Sequence, residues 1–374
     1  MVSLRTVRNH FLFLGFALAL PLCGQCRLPD VAPDALLRLT PAQLLEGGHF
    51  LRTEQILQPV VNQRPEDPQA AWMLSRAKAA LGKLDEAMAL AETALAQNPA
   101  NAAYHVQVAA VAGRLAEKAN LFRKLGYVKQ ARQELDAASA LDVRNSDTQW
   151  GLMMFYFAAP AMLGGDKAKA QQLGQQLAAA VPDLGRYYQG RLATEMKEHD
   201  KAEAFYKQSI AENPLLFDTA WNLATYYMRV KPDQAKAERW ACHAVHADPT
   251  RADAWALLAR VYSMCGCWTE AQHIAEIAET IDGEDLVAWY AIAEVAVERG
   301  EQYENAAAYL QKYLSRPIEG NQPGEASARM HLGTALARLG KQGEAAKELR
   351  AALELDSTLE PAKALLKQMG EKAR

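Results

Sequence analysis

Two tryptophans, Trp221 and Trp255, stand 34 residues apart, and the chain around them repeats at that interval. Thr225 and Ala259, Ala237 and Ala271, Ala244 and Ala278, and Pro249 and Gly283 keep the same spacing. A fixed period of this size marks a repeat architecture, in which each unit buries its apolar face against the next. Small residues recur at three places in five of the units: Ser75, Ala87 and Ala94; Gly190, Ala202 and Ser209; Thr225, Ala237 and Ala244; Ala259, Ala271 and Ala278; Gly333, Ala345 and Ala352. They are twelve and then seven residues apart each time. Proline closes units at Pro65, Pro99, Pro182, Pro214 and Pro249, where it stops one helix and suits the first turn of the next. Gly82, Gly126, Gly266, Gly300 and Gly340 are expected at the turn within a unit. The apolar residues are rich in alanine and poor in β-branched types, which favours helix.

This order of Trp, small, Ala, Ala and Pro resembles the tetratricopeptide-repeat (TPR) family. The resemblance covers most of the chain. It implies an all-α fold, a right-handed TPR solenoid of about nine helix-turn-helix repeats with a C-terminal capping helix. The units are expected near 34–67, 68–101, 102–145, 146–182, 183–217, 218–251, 252–285, 286–325 and 326–359, with a polar capping helix over 360–374. The first is degenerate, since Thr53 stands where alanine is expected. The third is long, and a helix over 102–125 is expected to run to a turn at Gly126. In the fourth, Pro160 must end the first helix, Gly164-Gly165 turns the chain, and Asp166 has the character of an N-cap. Its motif FYFAAPAMLGGDKAKA at 155–170 resembles one in exported bacterial TPR proteins of unassigned role. The eighth has one extra residue near Gln302.

Residues 1–26 read as a signal peptide: Arg5 and Arg8 precede a short apolar run at 11–22, with small or turn-forming residues around Gly24. A linker is expected over 27–33. The chain is therefore expected to be exported, periplasmic or secreted, touching a membrane only through an uncleaved leader. A net charge of −3 argues against nucleic acid as a partner.

In the family, the second, fifth, ninth and twelfth positions of each unit face the concave groove. The resemblance places Trp72, Arg76, Tyr187, Arg191, Asn222, Tyr226, Arg229, Asp253, Arg260, Tyr290, Glu294 and Met330 there, and Arg123 joins from the irregular unit. Aromatic residues, Met and Arg anchor protein interfaces, and guanidinium forks suit carboxylates. The expected partner is a protein or peptide segment of acidic character, unless the arginines are paired within the chain. Of the Lys and Asn pattern by which carboxylate-clamp TPRs hold chaperone tails, only Asn222 is matched, so that ligand is not expected.

Enzyme motifs for phosphate loops, zinc proteases, hydrolase nucleophiles and dinucleotide binding are absent, so no catalytic residue, cofactor or metal is expected. Two alternatives compete with a non-catalytic scaffold acting in cell-envelope assembly. One is a thiol-redox enzyme using Cys265 and Cys267, and the other is a self-assembling structural protein. The five cysteines are not expected to form a disulfide framework, and Cys242 lies too far along its helix to bridge either thiol. Cys242, His243 and His246 invite a metal reading, against which stands an ordinary surface histidine pair.

Overall fold

The computed structural model describes residues 26–31, 35–318 and 322–370. The expected leader lies outside these residues except for Cys26. The described residues form nine helix pairs and a final helix, with no strand. The pairs are α1 (Pro41–Glu46) with α2 (Phe50–Gln63), α3 (Pro68–Ala80) with α4 (Leu84–Gln97), and α5 (Ala102–Lys118) with α6 (Leu121–Leu141). Next come α7 (Ser146–Ala158) with α8 (Lys167–Ala180), α9 (Pro182–Glu195) with α10 (His199–Glu212), and α11 (Phe217–Arg229) with α12 (Gln234–Ala247). The last are α13 (Ala252–Met264) with α14 (Trp268–Ile281), α15 (Val287–Arg299) with α16 (Tyr303–Tyr313), and α17 (Glu325–Arg338) with α18 (Gln342–Leu355). The closing helix is α19 (Glu360–Gln368).

Side-chain caps set many of the starts. Asp67, Asn101, Asn145, Asp166 and Asp233 each accept a hydrogen bond from an N–H in the first turn of α3, α5, α7, α8 and α12. Pro41, Pro68 and Pro182 open α1, α3 and α9, where a missing N–H costs nothing. Most within-unit turns pass through a glycine at positive φ, including Gly82, Gly266, Gly300 and Gly340. The extra residue of the eighth unit is absorbed by Gln302, itself at φ 51.

The small positions are where the helices touch. Ala87, Ala94, Ala202, Ala244, Ala259, Ala271, Ala345 and Ala352 are fully buried. Ser75 donates its hydroxyl to the carbonyl of Ala87 at 2.7 Å, joining two of the three small positions of one unit. A Cβ on Gly190 would stand 2.6 Å from the Tyr206 ring, and one on Gly333 would stand 2.7 Å from Leu349. Gly185, which the spacing did not single out, is tighter still: its Cβ would meet the Ala178 backbone at 2.2 Å. At the far end, α19 seats Ala362 and Leu366 on Leu349 and Leu353, capping the stack.

Three expectations need correction. Gly126 is not a turn. Asn120 caps α6 by accepting from the N–H of Arg123, so the turn comes at residues 119–120 and Gly126 lies inside the helix. The segment over 27–33 is not a free linker in its described part, because Leu28 and Val31 pack on the core and the Arg27 carbonyl is bonded to His246 Nε2 at 2.7 Å. The cysteines do form disulfides. Cys26 is bonded to Cys242 of α12, and Cys267 is also disulfide-bonded.

These contacts belong to a seam that a linear repeat stack does not require. The first unit meets the loops that follow the sixth and seventh. His49, at the start of α2, is 3 % exposed and pairs with Asp282 at 2.9 Å, while its other ring nitrogen lies 3.2 Å from the Thr250 carbonyl. Burial alone would raise the carboxyl of Asp282. Hydrogen bonds from His49 and the Glu284 N–H, with the charges of His49 and Arg52, outweigh it and hold the group below its usual range. Asp285 beside it shows the opposite balance. Burial pushes it up to about 6, with the Asp282 charge adding to the rise, against the Val287 N–H, the charge of His49 and a bond from Gln322.

The disulfide closes a chain separation of 216 residues. In the chain-entropy picture a loop of that length places the bond toward the upper end of the usual stabilisation. Cys242→Ser is expected to cost roughly 4–5 kcal/mol. Denaturation midpoints check this, with amide protection lost first over residues 26–63.

For Asp285 the folded pKa lies above the ordinary carboxylate value, so the folded state holds the proton more tightly. Its favourable contribution is full below the unfolded pKa of about 4 and is lost as pH rises to about 6. Asp285→Asn keeps the acceptor for the Val287 N–H and removes the charge. The variant is expected to gain roughly 2 kcal/mol over wild type near pH 8 and almost nothing near pH 4, read by denaturant titration at both pH values.

Candidate functional site

A cleft of about 530 Å³ opens between α3, α5 and α7. Its origin is a run of small side chains. On α5 the inward positions are Ala103, Val106, Ala110 and Gly113. Trp72 of α3 forms one wall and Trp150 of α7 the other, so two large rings flank a floor with little side chain on it.

Each wall carries an arginine. The Arg76 guanidinium lies over the Trp72 ring, 5.1 Å from its centre, and Trp72 itself leans on Tyr104 at 6.0 Å. Arg191 of α9 lies 4.2 Å over Trp150 and 5.8 Å from Tyr187. Trp150 also stacks on Tyr188 at 5.1 Å, with the planes only 14° apart. Tyr188 in turn donates its hydroxyl to Asp147 at 3.3 Å, and Asp147 lines the cleft. No ion pair with Arg76 or Arg191 occurs among the described residues. Both cations therefore rest on aromatic faces, an arrangement worth about 0.5–2 kcal/mol each, and Arg191 also hydrogen-bonds the Tyr187 hydroxyl.

The structure separates the expected groove residues into two sets. Trp72 and Arg76 line the cleft, and Arg191 lies over the Trp150 ring without lining it. Tyr187, Tyr226 and Tyr290 are buried in the core rather than presented to a ligand, and burial pushes the hydroxyls of all three up. Tyr290 donates to Glu294 at 3.2 Å. Arg260 is held by Glu294 in a half-buried ion pair, so its charge is already matched. Asn222 turns back to the Asp218 carbonyl at 2.7 Å. Asp253 is paired with Arg251 at 2.8 Å, and Met330 packs toward α18 and α19. Arg229 is exposed and stands apart from the cleft, and so does Arg123, which sits in the first turn of α6. An unbroken line of arginines along the inner face is therefore not what the fold builds.

Trp150, Asp147 and Met154 were not expected, yet they occupy the fifth, second and ninth places of the fourth unit. Ala103, Val106, Ala110 and Gly113 hold the second, fifth, ninth and twelfth places of the third. The register that identifies Trp72 and Arg76 thus identifies the whole cleft once it is carried through the two irregular units.

The thiol and metal readings meet the disulfides. Cys265 is the free cysteine among the described residues while Cys267 is bonded elsewhere, so the two are not a redox pair. Burial, with the Glu238 charge, pushes the Cys265 thiol up to about 11, the wrong direction for a nucleophile. Cys26, Cys242 and His246 bring ligand atoms within 4.8 Å of one another, but the two sulfurs are joined as a disulfide and offer no thiolate. His243 is bonded to the Pro214 carbonyl.

Family models of the tetratricopeptide repeat match residues 44–112 and 288–360. No curated protein matches the chain. Among solved structures it is similar to a thermophilic TPR protein of Thermus thermophilus, at 24 % identity and a TM-score of 0.44, covering 53 % of this chain and 100 % of that one. It is also similar to a tetratricopeptide repeat protein of Parabacteroides merdae, at 16 % identity and a TM-score of 0.43, covering 81 % and 99 %. A third similarity is to the MamA protein, at 22 % identity and a TM-score of 0.36, covering 50 % and 94 %. The chain thus carries tetratricopeptide repeats toward both ends, and the described residues between them continue the same pattern of helix pairs with small residues at the helix contacts.

Proposed function

We propose that the protein is a non-catalytic scaffold that holds an extended segment of another protein in the cleft between Trp72 and Trp150. TPR repeats are protein-interaction modules in general, and one observation supports this site in particular. Two tryptophan walls flank a floor of small residues, with Arg76 lining the cleft over Trp72 and Arg191 over Trp150 just beyond it, neither in an ion pair among the described residues. The segment lays backbone and small side chains over α5, puts an apolar or aromatic residue against a tryptophan, and offers carboxylates to Arg76 and Arg191. Such a site loses little entropy on the scaffold side, because the rings and cations already hold each other in place.

The proposal also takes the protein to be exported and to act in assembly of a cell-envelope complex. The disulfide between Cys26 and Cys242 supports export, since such bonds persist chiefly in oxidising compartments. The fourth-unit motif at 155–170, which contributes Phe155 to the cleft, supports a role shared with exported TPR proteins.

Panning a displayed library of short random peptides against the protein tests the cleft. Acidic sequences with an aromatic or large apolar residue are expected to be enriched. Arg76→Glu combined with Arg191→Glu should weaken the selected peptides at least about tenfold, with circular dichroism unchanged. Equal binding by the variant and the wild type would remove the cleft as the site.

A further inference from the structure

The α5–α6 pair is longer than its neighbours at one end only. In the second unit the first helix has 13 residues and the second 14, whereas α5 has 17 and α6 has 21. The buried Ala131 and Ala138 of α6 correspond in spacing to Ala87 and Ala94 of α4, so the additional seven residues of α6 are its first, 121–127. The hairpin tip therefore overhangs the neighbouring turns by about 6–10 Å at 1.5 Å per residue.

No neighbouring helix reaches far enough to cover that overhang, and its sequence is apolar. Leu121 is 69 % exposed, Phe122 86 % and Leu125 44 %. Beside it, in the turn that follows α7, Met162 is 90 % exposed. Single exposed apolar residues need no account, but a contiguous group of this size marks an interaction surface. Interleaved with them are exposed Lys118, Arg123, Lys124 and Lys129, none with an ion-pair partner among the described residues, against the single carboxylate of Glu117. Between the overhang and residues 161–163 lies an apolar slot of about 750 Å³.

We infer that this edge is a docking surface for a lipid bilayer rich in anionic headgroups. Two observations favour a bilayer over a partner helix laid in the slot. Phe122, among the most exposed of these side chains, does not line the slot, so an occupant of the slot would leave it in water. Leu121, Phe122 and Leu125 also sit on a projection, which a flat surface can reach together with Met162 of the long turn beside it. The overhang matches the depth of about 5–10 Å to which amphipathic elements enter the boundary between headgroups and acyl chains. Phe122, Leu121 and Met162 enter that boundary, and the four cations stay at the level of the phosphates. This is attachment to one face of a membrane. No described helix is long and apolar enough to cross one.

Amide exchange of the full chain tests the inference, with and without vesicles of phosphatidylcholine alone or of phosphatidylcholine and phosphatidylglycerol in equal parts. Reading exchange locally separates the tip from any binding by the apolar run at 11–22. Protection is expected over 115–128 and 158–164, greater with phosphatidylglycerol and reduced by salt. Phe122→Ser with Met162→Ser replaces exposed side chains only and is expected to reduce that protection at least about tenfold. Absence of vesicle-induced protection at the tip overturns the inference, as does equal protection in the variant. Protection that follows protein concentration without vesicles also overturns it and assigns the surface to a second copy of the chain. None of these results bears on peptide binding between Trp72 and Trp150, which is read separately.

Discussion

The close approach of helices over alanine and glycine is the constraint on which the rest of the molecule depends. A TPR unit has no core of its own, so its stability is the contact it makes with its neighbours. Those contacts pass through positions such as Ser75, Ala87 and Ala94, or Gly190, Ala202 and Ser209, where there is no room for a further carbon. A larger side chain at one such place costs about 1–3 kcal/mol and also tilts a unit, which displaces every unit beyond it. The large rings are disposed around these contacts. Trp255, Tyr206, Tyr227, Tyr290 and Tyr313 fill the space beside the contacts and are almost fully buried.

Both candidate surfaces arise where this regularity is broken, and both breaks fall in the third and fourth units. On the inner side, α5 presents side chains too small to fill the distance between α3 and α7, which leaves the cleft with Trp72, Arg76 and Trp150 on its walls. At the edge, Asn120 starts α6 seven residues early while Pro160 stops α7 and its turn runs on through residues 161–163. One helix pair then projects beside another of ordinary length whose turn is long. The same residues serve both features: Gly113, Ala131 and Phe155 border the cleft and the slot alike.

The repeat itself was legible because helix period and small-residue spacing are local properties of the chain. Units, turns, the cap at Asp166 and the final helix follow from them. The register of inward positions also named Trp72 and Arg76, which line the cleft, but it could not say which inward residues the fold would consume. Whether Arg260 is free or bound to Glu294 depends on a neighbouring unit 34 residues on, and the side chains of Tyr187 and Tyr226 are buried by helices on either side. Gly126 misled for a related reason. A glycine between two helical runs reads as a turn, yet the stronger local signal was Asn120, whose side chain satisfies an N–H that would otherwise lack a partner. The disulfide at Cys26 was not legible at all. Cys26 and Cys242 are 216 residues apart, and nothing local to either reports that the stack turns back on itself.

That return changes how the scaffold holds its shape. In an open repeat stack each interface flexes independently, and small rotations add along the array, so the curvature of the inner face fluctuates. Here the first unit is tied to the sixth and seventh by the Cys26–Cys242 bond, the His49–Asp282 pair and the contact of His49 with the Thr250 carbonyl. The units in between, which include both walls of the cleft, are thereby held within a closed circuit. Rotation at one interface must be compensated at the others, and the separation of Trp72 from Trp150 is fixed by the whole ring of contacts rather than by α5 alone. A buried histidine–aspartate pair and a disulfide are costly to form and costly to open. Placing them at the seam gives a groove whose width is set before any partner arrives, so the ordering entropy is lost in folding rather than in binding.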